Sequence, residues 1–459
     1  MIVQTSLAWH SLRSRRSAFL ATFVSIMLAA ALIGSFATLI ETAQADSISM
    51  IDSEMLMVMG VVVGSWGAII ALFSLTSTIG IAVRQRDTEI GLLRIIGSTP
   101  RQARRLIRLE TLVVAITGTA LGAVLAWAGG AALLALLRSN DIVASTIKHQ
   151  AGLLSLGATA VALVLVALVA ATLAGGKATR GPAHVVVADG QTGTARMPWW
   201  RIVLGTVLVG SGVSMAVLTV TIMTDSSDPF APMMTAGSAC IVVASGLAAL
   251  APILLRWFAA VVRPALGRAG PSGYLAGFNT SRRANVLGGI LGSVTMFVAT
   301  TVGVLMMVGI DGRTLEAIAP DLQEAQTITL LNNVVTGMIA LFAAIMMVNS
   351  LVAVIGQRSA EFGLLQLVGA TREQIRHSVV TEAWLVAAAG MVLGLLASMA
   401  TVIPYSVARG EGIVPDGQLW LPPLLVVIAV GITLVGAVVA VNRTLDRVRE
   451  AGPRASASI

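Results

Sequence analysis

The chain has 459 residues, of which 56% are hydrophobic and 11% are charged. Soluble domains carry about 25% charged residues, so this composition excludes a soluble globular protein and indicates an all-α integral membrane protein. The formal net charge of +8 needs no nucleic-acid partner, because no nucleic-acid-binding motif accompanies it.

Ten apolar runs reach about 20 residues, the length that crosses a bilayer as a helix. The first is too long for the apolar core of a cleavable signal peptide, so we expect it to remain as a span. The ten predicted spans lie near residues 18–40, 57–83, 111–137, 151–174, 202–224, 233–255, 286–310, 328–355, 383–403 and 419–441.

The basic residues predict the orientation of these spans, because lysine and arginine accumulate in short cytoplasmic loops. With both termini in the cytoplasm, 26 of the 30 basic residues fall on the inner side. The inner segments then carry a net charge of +17 and the outer segments −9. We therefore expect cytoplasmic N- and C-termini, and we attribute the basic balance to topology and to anionic lipids of the inner leaflet.

A charged segment occurs twice, 272 positions apart, as QRDTEIGLL at residues 85–93 and QRSAEFGLL at residues 357–365. Apolar bias alone cannot place matching Arg, Glu, Gln and Thr residues, so the chain is a tandem duplication. The further matched pairs are Gly97 with Gly369, Thr99 with Thr371, Gln102 with Gln374, Glu110 with Glu382, Gly118 with Gly390, and Gly122 with Gly394.

The duplication divides the chain into three predicted parts. Residues 1–180 form a first four-helix unit, residues 181–272 a cytoplasmic linker with two connecting helices, and residues 273–459 a second four-helix unit with a cytoplasmic tail. Two connecting spans are an even number, so both units insert with the same orientation and form a parallel repeat. The arginine-containing segments before spans one and seven are expected to lie in the inner membrane interface.

The repeated loop after the second span of each unit carries apolar residues at helical spacing. Residues 84–110 predict two short helices, broken at Gly97 and restarted by Ser98 or Thr99 as a helix cap. In the second copy the break falls at Gly369 and the cap at Thr371. The apolar face of the first short helix has two open interpretations: packing under its own spans or at the lipid headgroups, or insertion into a cleft of a cytoplasmic partner.

No catalytic or metal site is predicted. The nearest string to a phosphate-binding loop, residues 171–178, lacks the first glycine and the final hydroxyl that such a loop needs. The single Cys240 excludes an internal disulfide, and the four histidines show no ligand spacing. No Asp, Glu, Lys or Arg lies in the middle of a span, which argues against an ion-coupled carrier. Asn349, in the eighth span, is a candidate contact for a substrate.

The pattern R-x-x-E-[IF]-G-L-L-x-x-x-G-[SA]-T, followed in the next span by G-x-x-L-G, resembles the FtsX/MacB-type permeases of mechanotransmission (type VII) ATP-binding cassette (ABC) systems. The resemblance implies a multi-pass protein of the bacterial cytoplasmic membrane that binds separate ATPase subunits, in two copies per chain. ATP and Mg²⁺ would be bound by that partner and no cofactor by this chain. The residues implied to couple to the ATPase are Arg86, Glu89, Gly91, Leu92, Leu93, Gly97, Arg358, Glu361, Gly363, Leu364, Leu365 and Gly369.

The predicted outer loops 41–56 and 311–327 are far shorter than the roughly 40 residues at which independent folding becomes marginal. Many relatives in this family carry a large extracytoplasmic domain at one of these places, so the chain departs from them. We therefore expect export or extraction of a hydrophobic or amphiphilic substrate, such as a lipid, peptide or drug, taken from the bilayer or its outer surface. The alternative is a non-transporting, ATP-driven signal transmitter that regulates a membrane or cell-wall partner.

Overall fold

A computed structural model describes residues 16–45, 48–84, 87–139, 143–178, 197–225, 231–268, 271–318 and 358–456, together with scattered positions between 337 and 355. Within these ranges the chain is helical and contains no strand. The helices are α1 (Arg16–Ala43), α2 (Met50–Val58), α3 (Gly64–Arg84), α4 (Asp87–Ile95), α5 (Pro100–Ser139), α6 (Ala158–Ala178), α7 (Trp199–Thr221), α8 (Ala231–Arg268), α9 (Pro271–Arg282), α10 (Ala284–Ile318), α11 (Ser359–Leu367), α12 (Arg372–Ala408) and α13 (Leu421–Ser456).

Nine segments of the described chain are long and apolar enough to cross a membrane. Each coincides with one of the predicted spans, which confirms an all-α, multi-pass membrane protein. The eighth predicted span, 328–355, lies largely outside the described residues. The nine segments are Thr22–Ala43, Met50–Gly80, Pro100–Ser139, Leu153–Gly176, Trp199–Thr221, Ala231–Pro264, Ala284–Thr314, Arg372–Ala408 and Leu421–Asp446.

The third and ninth spans differ from the prediction in where their helices begin. The second short helix expected in each repeated loop is continuous with the span that follows, so α5 begins at Pro100 and α12 at Arg372. The reason is local: no glycine or proline occurs between residues 101 and 117 or between 373 and 389, so nothing interrupts the helix where the polar residues give way to apolar ones.

The chain forms two compact units, the first of residues 1–190 and 308–342 and the second of residues 191–307 and 343–459. In the first unit, α1 packs against α3, α5 and α6. In the second unit, the connecting helices α7 and α8 pack against each other, and both contact α12. The predicted division of the chain at residues 180 and 272 stays a prediction. Packing shows which helices contact one another, and it does not show where a duplicated sequence begins or ends.

Equivalent glycines bring equivalent helices together in the two units. A Cβ atom on Gly122 of α5 would lie 2.7 Å from the carbonyl oxygen of Met27 on α1, and one on Gly394 of α12 would lie 3.1 Å from that of Thr295 on α10. Small residues allow membrane helices to approach this closely. Met27 and Thr295 are 268 positions apart, whereas the two glycines are 272 positions apart. The same pair of helices therefore packs together in both units, with the contact shifted by four residues along one helix.

Helix α10, whose residues 284–307 belong to the second unit, is the most buried of the described spans. Its Gly288 faces Pro252 of α8, where an added Cβ would meet the proline ring at 3.1 Å. Helix α8 also reaches α12, since the backbone N–H of Cys240 donates to the Thr401 hydroxyl over 3.2 Å. The Cys240 side chain is fully buried in this contact. The connecting helices therefore cover part of the second repeat.

Candidate functional site

The two short loop helices, α4 and α11, end in the same backbone motif. Gly97 has φ +111° and Gly369 has φ +97°, the left-handed conformation that glycine adopts without strain. The Ser98 N–H donates to the Leu93 carbonyl at 2.9 Å, and the Ala370 N–H donates to the Leu365 carbonyl at 2.9 Å. These are the six-to-one bonds of a Schellman motif, so the predicted glycine breaks are confirmed.

The predicted helix restarts are confirmed as well. The Gln374 N–H donates to the Thr371 hydroxyl while the Thr371 N–H donates to the Gln374 side chain, which forms a capping box. In the first copy the Thr99 N–H donates to Gln102 Oε1 at 2.8 Å, and the Gln102 N–H donates to the Thr99 hydroxyl at 3.3 Å. The sequence G-[SA]-T-x-x-Q thus sets the same turn in both copies.

Each loop helix buries one apolar side chain and exposes the others. Ile90 is 3% exposed and its equivalent, Phe362, is 0% exposed. The remaining apolar side chains of both helices face away from the described core, which favours contact with lipid headgroups or with a partner over packing under their own spans. The exposed residues are Leu92, Leu93, Ile95 and Ile96 in the first copy, and Leu364, Leu365, Leu367 and Val368 in the second. We call these two sets the loop-helix apolar patches.

A network of ion pairs surrounds Glu361 on the other side of α11. Arg283 donates to both carboxylate oxygens of Glu361, with both distances 2.7 Å. Arg358 Nε also donates to Glu361, at 3.1 Å, and Arg358 Nη1 donates to Glu382 at 2.5 Å. Asn279 completes the set with a 3.3 Å bond to Glu382. We call these five residues the Glu361 ion network.

Burial makes this network unlike a surface salt bridge. The Glu382 side chain is 2% exposed and that of Arg358 12% exposed. The Arg358 guanidinium also lies 5.2 Å from the centre of the Phe362 ring, which adds a cation–π contact. Burial alone would lower the pKa of Arg358, but the charge of Glu382 and the contacts with Glu361 outweigh it and raise the pKa. The charged form of Arg358 is therefore the stable one here.

The structure places the predicted coupling residues in different environments. Arg358 and Glu361 are engaged inside the chain, whereas the leucines are exposed. Glu89 is half-buried and also has interactions within the protein. Arg86 and the candidate substrate residue Asn349 lie outside the described residues. The assignment of all these positions to coupling or substrate binding stays a prediction.

Sequence reasoning missed the network, although its members carried a signal. Glu382 had been recognised only as a matched residue of the repeat, and Arg283 only as part of an interfacial segment. A carboxylate at the start of an apolar span needs a buried partner, and an arginine at the end of the preceding amphipathic helix could have been proposed for this role.

The equivalent acidic residue in the first unit is also buried. Glu110 is 1% exposed and makes interactions within the protein. It lines a cavity of about 30 Å³, together with Thr22 and Thr111 and the apolar side chains of α3 and α5. Such a volume holds about one water molecule, so this carboxylate lies beside a small, partly open space with a mostly apolar lining.

The FtsX-like permease C-terminal family matches residues 61–183 and again 333–447, together just over half of the chain. The chain belongs to the FtsX-like permease family. The double match confirms the tandem repeat, and both matched regions contain a loop helix and the span that follows it. FtsX-like permeases are non-catalytic membrane subunits of ABC systems, and they typically work with a separate ATPase. No curated protein matches the chain.

The acid dependence of stability should reveal the Glu361 ion pairs of this FtsX-like permease. Burial would raise the pKa of the Glu361 carboxyl, but hydrogen bonds and charge from Arg283 and Arg358 outweigh it and lower the pKa to about 2 from the ordinary 4.5. A depressed carboxyl pKa stabilises the fold above pH 4.5, and the contribution is lost as the pH falls from there towards 2. It is worth roughly 2 kcal/mol after allowance for partial exposure.

We expect Glu361→Gln to lower the thermal unfolding midpoint at neutral pH, and the gap from wild type to shrink as the pH falls from about 5 to about 3. The purified chain in detergent, scanned at a series of pH values, provides the measurement. Glu373→Gln is the control, because its pair with Arg376 is exposed and 3.9 Å long. A gap that stays constant over the whole pH range would contradict the assigned ion pairs.

Proposed function

We propose that this chain is the permease subunit of an ABC transporter, and that it couples ATP hydrolysis by separate ATPase subunits to export or extraction of a hydrophobic or amphiphilic substrate. ATP and Mg²⁺ are bound by the ATPase in this proposal. The bacterial cytoplasmic membrane is the expected location. Membership of the FtsX-like permease family supports the proposal.

The loop-helix apolar patches are the observation that carries the proposal. Ile96 is 84% exposed, Leu367 85% and Val368 88%, although each lies in a polar cytoplasmic loop of the predicted topology. Contiguous exposed apolar residues with a polar surround are typical of protein interaction sites. An amphipathic helix that inserts its apolar side chains into a groove is a common form of protein recognition. A groove on the ATPase would fit both patches.

The repeat predicts the stoichiometry of the complex. Both loop helices carry the same Schellman and capping-box bonds, so their exposed leucines are presented on the same backbone frame. Two equivalent patches in one chain provide equivalent binding sites for two ATPase copies. The glycines Gly97 and Gly369 would act in this interface through backbone geometry, and the exposed leucines through contact.

The lengths of the described outer connections support the proposed substrate class. The described connections on that side, such as residues 143–152 and 409–420, are too short to form a folded domain. The described spans are closely packed and apolar. A substrate that enters from the lipid phase is compatible with this architecture.

The first experiment is purification of the tagged chain from native membranes in mild detergent, with and without ATP. We expect an ATPase with a phosphate-binding loop to co-elute at two copies per chain. Absence of any ATPase under both conditions would overturn the proposal. If an ATPase is bound but reconstituted vesicles show no ATP-dependent movement of a fluorescent lipid or amphiphile, the signalling role becomes the better explanation.

Charged substitutions in the loop-helix apolar patches should abolish ATPase capture. We expect Ile96→Asp with Leu367→Asp to reduce the co-purified ATPase at least about tenfold, because each buries a carboxylate in an apolar groove. The matched control is Ile96→Met with Leu367→Met, which keeps the patches apolar and should retain capture. Equal capture by the aspartate and methionine variants would show that the ATPase binds elsewhere.

A further inference from the structure

The Glu361 ion network connects three elements that are distant in sequence. Asn279 lies in α9 and Arg283 directly after it, Arg358 and Glu361 lie at the start of α11, and Glu382 lies in α12. All five residues belong to the second compact unit. The second loop helix is thereby bonded both to the amphipathic helix that precedes span seven and to the span that follows the loop.

Within the described residues, α11 buries little of its own apolar surface. Phe362 is its fully buried side chain, and most of its remaining apolar side chains are exposed. It also packs against α13. In the described part of the chain the ion network bonds α11 to Arg283 and to Glu382 of α12, so a displacement of α11 must either stretch the network or move these partners.

The geometry of these bonds favours movement of the partners over stretching of the network. Arg283 binds Glu361 through two parallel N–H···O bonds, which fix distance and direction together. Arg358 bonds to Glu361 and Glu382 at once, so the two carboxylates share one guanidinium. Separation of Arg358 from Glu382 would leave a buried charge without its partner, which is far more costly than breaking a surface pair.

We propose that the Glu361 ion network transmits movement of the second loop helix to α9 and α12, and that Arg283 and Arg358 are positioning residues for this step. The inference rests on the proposed function, because it takes α11 to be the helix on which the ATPase acts. It assigns Glu361 an internal role, so that the ATPase contacts the leucines and the carboxylate passes the displacement on to Arg283.

Amide hydrogen exchange of the full chain in lipid nanodiscs tests the connection without any ATPase. We expect Arg283→Gln to accelerate exchange at least about tenfold in both α9 and α11, because the direct bonds between Arg283 and Glu361 are lost and only the longer path through Asn279, Glu382 and Arg358 remains. Arg283→Lys, which keeps the charge without the two-bond geometry, should restore part of the protection. The control is Arg372→Gln, whose pair with Asp446 also joins two helices but is exposed. Acceleration confined to residues around position 283 would overturn the connection.

Amide hydrogen exchange of the complex with the co-purified ATPase tests whether the Glu361 ion network transmits movement. In wild type, trapping with ATP and vanadate should change exchange in α9, α11 and α12. In Arg283→Gln the ATPase should remain bound in the same ratio, while the change in α9 is lost. An unaltered change in α9 would overturn the transmission role. If the proposed function is wrong, the wild-type protein will capture no ATPase. Hydrogen exchange of the chain alone would then still test whether the network connects α9 with α11.

Discussion

Replacement of Arg358 by methionine is expected to destabilise the second unit by about 3–5 kcal/mol, the range found when one partner of a buried ion pair is removed. Glu382 would remain with its side chain 2% exposed and without a cation, although Asn279 would still donate to it. Methionine fills much of the volume of arginine. The loss of stability therefore reflects removal of the charge more than a change in packing. Thermal or chemical unfolding in detergent provides the measurement.

A double variant separates these effects. Arg358→Met with Glu382→Leu removes both charges, and replacement of a buried pair by apolar residues is often close to neutral. We therefore expect the double variant to be more stable than Arg358→Met alone. Additive destabilisation by the two substitutions would show that Arg358 and Glu382 do not stabilise one another.

Substitution of Gly394 by leucine should prevent α10 and α12 from packing. Even a Cβ atom at this position would lie 2.6 Å from the Val298 Cβ, closer than such atoms approach in folded proteins. A leucine must therefore push the two helices apart along much of their contact. We expect a loss of about 3 kcal/mol or more, together with low yield of folded protein.

Gly431→Leu is the matched control, because Gly431 lies in a span of the same unit and an added Cβ would have no neighbour within 4 Å. Both variants add the same side chain to an apolar helix, so only the packing differs. Limited proteolysis and size-exclusion chromatography would report the outcome. Equal behaviour of the two variants would contradict the close approach at Gly394.

The sequence predicted the local geometry of the candidate site well, because short-range rules decide it. A left-handed glycine and a Thr-x-x-Gln cap act within a few residues, so Gly97, Thr99, Gly369 and Thr371 could be assigned their roles directly. The spans were predictable for a similar reason, since length and hydropathy suffice for a membrane helix.

The direction in which each side chain points was less predictable. Helical spacing placed Phe362 among the other apolar residues of α11, and only the fold shows that it is buried while Leu364 and Leu367 are exposed. The partner of Glu361 was equally hidden, because Arg283 is 78 positions away and ion pairing at that distance depends on tertiary packing. Repeat matching compares one copy with the other and does not identify contacts within a copy.

The continuous helices that follow the repeated loops have a mechanical consequence. With 40 residues, α5 is about 60 Å long, roughly twice the thickness of the hydrocarbon core. It begins beside the first loop helix and contains no proline after its first residue, so a tilt at this end would be carried to the other end of the helix without a bend. In α12, Pro404 lies four residues before the end of the helix and provides a point of flexure there. The equivalent helices α5 and α12 therefore differ in stiffness at the ends that lie farthest from the loop helices.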